Sequence, residues 1–315
     1  MDASDLLRSS LLQLAKMHRV RDVVEKAPVS RSVVRRFVAG ATVADAVRAT
    51  AELAAVGRAA TIDYLGEDTT HLEQARHTRD TYLTLLRELT ARGLSQGGRA
   101  EVSVKLTALG LHLPDGSAIA LGHAREIAQA AVNAGTTMTV DMEDHTTTDA
   151  TLAIVHELRE DFPSVGAVLQ AYLRRTEADC AALAHAGSRI RLCKGAYQEP
   201  EEVAFQDGAE VDKAYVRCLK ILMAGDGYPM VASHDPRLIE IAAALAGRAG
   251  REPKTFEYQM LYGIRPDEQA RIADRGDQMR VYVPFGEEWY GYLMRRMAER
   301  PANVAFFLRG VATKG

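Results

Sequence analysis

The chain of 315 residues is 47% hydrophobic and carries 42 acidic and 39 basic side chains, a formal net charge of −3. A chain of this kind can bury a large core as one domain. Because it has no broad positive field for a phosphodiester backbone, nucleic acid is not expected as a partner. The three cysteines form no Cys-x-x-Cys pair and fit neither a disulfide framework nor a zinc knuckle, so a reducing, cytoplasmic setting is expected.

The first residues of the chain include acids where a secretory signal needs positive charge. Apolar runs stay well short of the roughly 20 residues of a spanning helix. We therefore expect at most peripheral contact with the inner face of a membrane.

Residues 1–58 show helical spacing of apolar side chains, with Ser4 and Thr42 placed as helix N-caps. This pattern predicts three or four short helices that pack on the main fold. The expected division of the chain is a helical segment, 1–58, and a catalytic domain, 59–315.

From residue 59 onward, short apolar or alternating runs are each followed by a helical stretch. Strands that alternate with helices predict parallel pairing, and eight such units close a (β/α)8 TIM-type barrel. In that fold the active site lies at the carboxyl ends of the strands. The predicted strands are 61–65, 101–106, 138–142, 166–171, 189–193, 230–233, 256–259 and 280–283.

Polar side chains interrupt the apolar strands near their ends. Two-residue periodicity sends Val102, Val104 and Leu106 to one face and Lys105 to the other. A single charged residue at a strand end is commonly solvated at the rim of the barrel. Because burial of an unpaired charge costs free energy, several such residues together indicate a ligand site. The same reasoning turns four further side chains into the barrel mouth: Asp141, Gln170, Arg191 and Tyr282.

Two loops at strand ends have features of a ligand site. Gly195 and Ala196 follow Lys194 and let the backbone approach a flat ligand or a phosphate, although glycine after a strand often only makes the turn. Asp235 is placed as an N-cap with Pro236 at the first helical position, after Ser233 and His234. Such a helix start favours anions.

The last predicted helix, Trp289–Glu299, carries two adjacent cations, Arg295 and Arg296. They form either an exposed basic face paired with Glu299 or a clamp for a small carboxylate, which guanidinium groups grip in bidentate fashion. The sequence pattern by itself leaves both interpretations open.

These motifs resemble the proline dehydrogenase family, especially its short monofunctional bacterial members, from about residue 59 to 309. The segments that carry the resemblance are Ser103-Val104-Lys105-Leu106, Asp141-Met142-Glu143, Leu169-Gln170-Ala171-Tyr172, Arg191-Leu192-Cys193-Lys194-Gly195-Ala196-Tyr197, Ser233-His234-Asp235-Pro236-Arg237, Phe256-Glu257-Tyr258-Gln259-Met260-Leu261-Tyr262-Gly263, and Tyr282 through Glu299. This chain has Ser233 where many relatives carry threonine, and Cys193 where many carry valine.

The resemblance implies FAD-dependent oxidation of L-proline to 1-pyrroline-5-carboxylate, with noncovalent FAD, a membrane quinone as electron acceptor and, as an open possibility, a separate pyrroline-5-carboxylate dehydrogenase as partner. It implies no metal. The implied catalytic or flavin-tuning residues are Asp141 and Arg191, and Glu67 is the implied gate that pairs with Arg295. Proline would contact Lys105, Tyr197, Ala196, Leu261, Tyr282, Arg295 and Arg296, and FAD would contact Met142, Gln170, Arg191, Lys194, Gly195, Ala196, Ser233, His234, Gln259 and Glu299.

Three other enzymes are alternatives. A flavin-dependent relative of methylenetetrahydrofolate reductase would share the Asp, Gln and His contacts but lack the arginine clamp. An aldolase would use Lys105 or Lys194 as a Schiff base and would be colourless. A metal-dependent hydrolase would need its ligands among the four residues His112, Asp141, His145 and His234, which lack His-x-His spacing. A binding module without catalysis would be expected to lose clamp residues, all of which are present here.

Overall fold

The computed structural model describes residues 34–299, and the side chains of residues 34–296. Eight parallel strands form a closed barrel in chain order, and helices connect them on the outside. The predicted TIM-type barrel is confirmed. The strands are β1 (Ala59–Tyr64), β2 (Ala100–Val104), β3 (Met138–Val140), β4 (Gly166–Gln170), β5 (Arg189–Cys193), β6 (Tyr228–Ala232), β7 (Glu257–Leu261) and β8 (Met279–Phe285).

The helices surround this barrel and cover its outer face. A predicted N-cap at Ser4 and the helices predicted before residue 34 lie outside the described residues. The helices are α1 (Val43–Ala55), α2 (Leu72–Ala91), α3 (Gly116–Asn133), α4 (Thr148–Asp161), α5 (Thr176–Leu183), α6 (Gly208–Ala224), α7 (Pro236–Arg248), α8 (Pro266–Asp274) and α9 (Trp289–Glu299).

Strand β2 shows how alternation builds the barrel wall. Val102 and Val104 point outward into the hydrophobic core between strands and helices. Glu101 and Ser103 point to the other face and are fully buried inside the barrel. The barrel interior is therefore polar, and its charges must be paired because an isolated buried charge costs several kcal/mol.

Two predicted helix starts are confirmed. Thr42 caps α1 in a capping box, in which its side chain accepts from the Asp45 backbone N–H and the Asp45 carboxylate accepts from the Thr42 backbone N–H. Asp235 caps α7, with Pro236 in the first turn. Each cap contributes about 1 kcal/mol to helix stability.

Helix α9 covers part of the barrel mouth. Tyr290 and Leu293 pack in a small hydrophobic cluster with Phe37, Val38 and Leu65, the residue that follows β1. This cluster brings the cations of α9 to the carboxyl end of β1. In the described part of the chain, no helix is both long enough and apolar enough to cross a membrane.

Candidate active site

A buried ion pair between Arg191 and Asp141 lies at the centre of the barrel mouth. Arg191 on β5 donates from Nη1 to Asp141 Oδ1, directly after β3, at 2.6 Å. The Ser103 hydroxyl donates to the same oxygen at 2.8 Å and accepts from Arg191 Nη1 at 2.9 Å. Three strands thus converge on one pair, as predicted for Asp141 and Arg191.

Three further strands, β1, β7 and β8, hold this pair in place. Arg191 Nε donates to Gln259 Oε1 at 2.6 Å, and Nη2 donates to Thr61 Oγ1 at 3.2 Å. Tyr282 on β8 donates its hydroxyl proton to Asp141 Oδ2 at 2.7 Å, and its ring centroid lies 5.3 Å from the Arg191 guanidinium carbon. The orientation of the guanidinium plane is therefore fixed by the protein.

Lys105 has a partner that the sequence reasoning missed. Its ammonium group lies 2.6 Å from Asp63 Oδ2 on β1 and 3.9 Å from Asp141 Oδ2. Burial opposes the charge of Lys105, but the carboxylates of Asp63, Asp141 and Glu67 raise its pKa above the usual value. Lys105 is therefore a fixed cation, a state that suits a carboxylate ligand and not a Schiff base.

The Glu67 carboxylate pairs with one cation and is attracted by two more. It forms a bidentate pair with Arg295 of α9, through Nη1 at 3.0 Å and through Nη2. Burial alone would raise the pKa of Glu67, but attraction to Arg295, Lys105 and Arg296 lowers it. The cations of the expected clamp thus act on one carboxylate, and the exposed basic face is the wrong interpretation for Arg295 and Arg296, which are largely buried.

The loop after β5 forms another wall of the mouth. The guanidinium carbon of Arg295 lies 5.6 Å from the ring centroid of Tyr197, within range of a cation–π contact. Gly195 has φ +126°, and a Cβ at this position would stand 2.3 Å from the Tyr172 ring. Glycine is therefore required here by both conformation and space.

Gln170 and Glu143 meet at the ends of β4 and β3. The Gln170 amide donates from Nε2 to the Glu143 backbone oxygen at 2.7 Å. The Glu143 carboxyl group accepts from the Thr107 backbone N–H at 3.0 Å and from its hydroxyl at 2.5 Å. Burial raises the pKa of Glu143 to about 7, against the opposing effect of these hydrogen bonds.

The Glu143→Gln variant should lose part of the pH dependence of stability. The usual pKa is 4.5 and the folded value about 7, so between these values the folded state binds more protons and wild-type stability falls as pH rises. The glutamine oxygen can still accept from the Thr107 backbone N–H and its NH2 group can donate to the Thr107 hydroxyl, but glutamine cannot ionise. Urea unfolding at pH 4.5, 6 and 8 measures the free energy of unfolding. From the lowest to the highest pH, the value for the variant should rise relative to that of wild type by an amount on the order of 3 kcal/mol. An identical pH profile in both proteins would contradict the raised pKa.

The predicted residues on the phosphate side of the mouth are already engaged. Lys194 lies 2.5 Å from Asp212 and 3.3 Å from Asp235. The Ser233 hydroxyl accepts from the Asp235 backbone N–H at 3.1 Å, and His234 Nε2 accepts from the Leu261 backbone N–H at 3.0 Å. An anion bound by Lys194 would have to compete with these carboxylates.

Other predicted residues have separate locations. Met142 is buried in the main core, and Ala196 and Leu261 are half-buried beside the mouth. The Glu299 side chain lies outside the described residues. His112 pairs with Asp68 and His145 with Glu199, so the two do not join Asp141. Within residues 34–296, no three His, Cys, Asp or Glu side chains are grouped to hold a metal.

The donor set fits a flavin ring. A flavin presents N–H and C=O groups along its edge, which amide and guanidinium groups complement. With its Nε2 engaged, Gln170 has its carbonyl oxygen available, since no described group donates to it. Arg191 uses four of its five N–H groups in hydrogen bonds within the protein, and Nη2, which carries the fifth, lies 3.8 Å from Glu101 Oε1.

A parallel barrel with a buried, ion-paired mouth and a cationic wall has the features of a barrel enzyme that acts on a small substrate with a carboxylate group. The sequence model of the family described as proline dehydrogenase matches residues 46–309. The chain belongs to the proline dehydrogenase family. Members of this family are flavoenzymes, which favours neither the aldolase nor the hydrolase alternative.

Relatives match this chain over nearly its whole length. Proline dehydrogenase 1 of Bacillus subtilis subsp. natto is 38% identical over 289 residues, which cover 92% of this chain and 94% of that protein. The proline dehydrogenase of Deinococcus radiodurans is 36% identical over 309 residues, 97% of this chain and 98% of the relative.

A solved structure shares the fold. The crystal structure of proline utilization A from Bdellovibrio bacteriovorus, inactivated by N-propargylglycine, matches with a TM-score of 0.80 and 25% identity. The match covers 91% of this chain and 34% of that longer chain.

Proposed function

We propose that this enzyme oxidises L-proline to 1-pyrroline-5-carboxylate with noncovalently bound FAD, which is reoxidised by a membrane quinone. The observation that carries the proposal is the bidentate pair of Arg295 with the Glu67 carboxylate, which Lys105 and Arg296 also attract, beside the Arg191–Asp141 pair. A substrate carboxylate that displaces Glu67 would meet the same three cations. The carboxylate is the strongest handle by which proline can be oriented.

With its carboxylate bound to these cations, proline would direct its ring toward the uncharged walls of the mouth. Tyr282, Leu261, Tyr197 and Ala196 supply apolar surface there, and burial against them excludes water from the carbon next to the ring nitrogen. When bound, the flavin supplies the acceptor for the hydride of that carbon. Arg191 is held by Asp141 where it stabilises the negative charge that develops.

The residues proposed to hold FAD come from five strand ends, those of β3 to β7, and from α9. Amide and guanidinium groups serve the ring, and Lys194 with the Ser233 and His234 loop serves the phosphates. The full set is Met142, Gln170, Arg191, Lys194, Gly195, Ala196, Ser233, His234, Gln259 and Glu299.

Residues 59–315 are proposed as the catalytic domain, with the helical segment 1–58 packed on it. We place the enzyme in the cytoplasm with transient, peripheral contact to the inner face of the membrane, where a quinone is available. A separate pyrroline-5-carboxylate dehydrogenase is a candidate to take the product.

Acceptor specificity tests the proposal. Purified enzyme with proline should reduce a quinone or a dye, and should reduce NAD slowly or not at all, because the chain has no Gly-x-Gly-x-x-Gly fingerprint. Rapid NAD reduction would contradict the proposed acceptor. A colourless protein that is trapped by borohydride with a carbonyl substrate would instead indicate the aldolase.

Tyr282 is expected to set the preference for proline over 4-hydroxyproline, because its side chain occupies the space that a 4-hydroxyl group needs. The Tyr282→Ser variant should weaken use of proline more than use of hydroxyproline, by about two- to tenfold in the ratio of kcat/KM values. Tyr282→Phe is the control, since it keeps the ring and loses only the hydroxyl, with its hydrogen bonds to Asp141 and Asp63. An unchanged ratio in Tyr282→Ser would mean that this residue does not set specificity.

A further inference from the structure

Below the barrel mouth lies a second layer of buried charges, in which Glu257 and Arg280 form a bidentate pair. Arg280 Nε donates to Glu257 Oε1 at 2.7 Å, and Nη2 donates to Oε2 at 3.1 Å. The Tyr228 hydroxyl donates to Oε2 at 3.1 Å. Burial opposes ionisation of the fully buried Glu257, but Arg280 lowers its pKa, so the carboxylate stays charged.

Glu257 has one more partner, which connects this layer to the mouth. Gln259 lies two residues further along β7, on the same face of the strand. Its Nε2 donates to Glu257 Oε1 at 2.5 Å, while its Oε1 accepts from Arg191 Nε at 2.6 Å. A continuous chain of hydrogen bonds therefore runs from Glu257 to Arg191.

The chemistry of the two neighbours fixes which way the Gln259 amide points. An ionised carboxylate only accepts hydrogen bonds, so the NH2 end of Gln259 must face Glu257. A guanidinium only donates, so the oxygen end must face Arg191. The opposite orientation would set donor against donor at Arg191 and acceptor against acceptor at Glu257, inside a medium of low dielectric.

We propose that Glu257 is a positioning residue, which through the Gln259 amide holds the Arg191 guanidinium in place and thereby sets the reduction potential of the bound flavin. This inference rests on the proposed function, in which Arg191 lies beside the flavin ring. Glu257 itself touches neither substrate nor cofactor in this arrangement.

The Glu257→Gln variant removes the fixed orientation. A glutamine can donate as well as accept, so Gln259 can turn its oxygen downward and present its NH2 group to Arg191 Nε. Arg191 then loses one of the four partners that define its plane. Reduced flavin carries more negative charge than oxidised flavin, so a displaced Arg191 stabilises the reduced form less.

Potentiometric titration of flavin-loaded protein, followed by visible absorbance, separates this role from a simple charge effect. We expect a more negative midpoint potential for Glu257→Gln than for wild type, with kcat lowered about tenfold and KM for proline little changed. If the variant only lost a buried negative charge and Arg191 kept its place, the midpoint potential of the flavin would instead become more positive.

Two further variants provide controls. Glu101 is equally buried and pairs with Arg189 at 2.7 Å, 3.8 Å from both Arg191 and Arg280, without a bond to Gln259. Glu101→Gln removes the same charge and should not lower the potential. Glu257→Asp keeps the charge but withdraws the carboxylate from Gln259, so it should also lower the midpoint potential. This variant tests the positioning role of Glu257 if Glu257→Gln fails to fold.

An unchanged or more positive potential in the folded Glu257 variants would overturn the inference, as would an equal lowering in Glu101→Gln. Failure of the proposed function has a different signature, since wild-type protein would then bind no flavin or leave it oxidised in the presence of proline.

Discussion

Replacing Arg295 with alanine should raise the KM for proline about 10- to 150-fold, since each hydrogen bond between charged groups contributes about 1.5 to 3 kcal/mol. Arg295 is the cation in direct contact with Glu67, and the substrate carboxylate is proposed to take that place. Steady-state kinetics with proline as the varied substrate, together with the absorbance of bound flavin, measures the effect. Arg296→Ala and Lys105→Ala should act in the same direction.

The matched control for Arg295→Ala is Glu67→Gln. This variant breaks the same ion pair but leaves the cation in place, so the KM for proline should not rise, and it falls if Glu67 competes with the substrate. Equal KM values in Arg295→Ala and wild type would refute the clamp. A rise of KM in Glu67→Gln as large as that in Arg295→Ala would indicate a structural role for the pair instead.

Removing the Asp141 carboxylate should damage both stability and turnover. Asp141→Ala leaves Arg191 as a buried cation without its hydrogen-bonded carboxylate and deprives Ser103 and Tyr282 of an acceptor. Loss of one member of a buried ion pair costs about 3 to 5 kcal/mol of folding stability. Because the orientation of Arg191 depends on this pair, kcat should also fall on the order of 100-fold.

Urea unfolding and kcat of the flavin-loaded enzyme measure these two effects. Asp141→Asn is the control, since its amide oxygen still accepts from Arg191 and Ser103, and it should lose less stability than Asp141→Ala. If Asp141→Ala keeps wild-type stability and kcat, then the Arg191–Asp141 pair is not the centre of the site.

The barrel and its outward faces could be predicted because strand alternation is a local property. Val102 and Val104 face the core and Ser103 the interior, as two-residue periodicity requires. Two predicted strand ends differ from the structure: β3, predicted over 138–142, ends at Val140, so Asp141 follows the strand, and β8, predicted over 280–283, continues to Phe285. Pairing with neighbours sets these ends, and single-strand patterns do not contain that information.

The partners of the site residues could not be predicted in the same way. Asp63 has the inward parity of Thr61 on β1, so the alternation of that strand contains a signal for this carboxylate. Glu143 and Glu257 stand inside the motifs that carry the family resemblance, yet their contacts to Thr107 and Arg280 join residues distant in sequence. Such contacts depend on the closed barrel, which brings all eight strands around one axis.

The most direct test of the central claim is the visible spectrum of the purified protein during anaerobic addition of L-proline. The account predicts the bands of oxidised flavin before addition, their loss on addition of proline, and formation of a pyrroline product that reacts with o-aminobenzaldehyde. Protein that binds FAD but keeps its oxidised bands in saturating proline, or that gains no flavin absorbance on mixing with FAD, would contradict it.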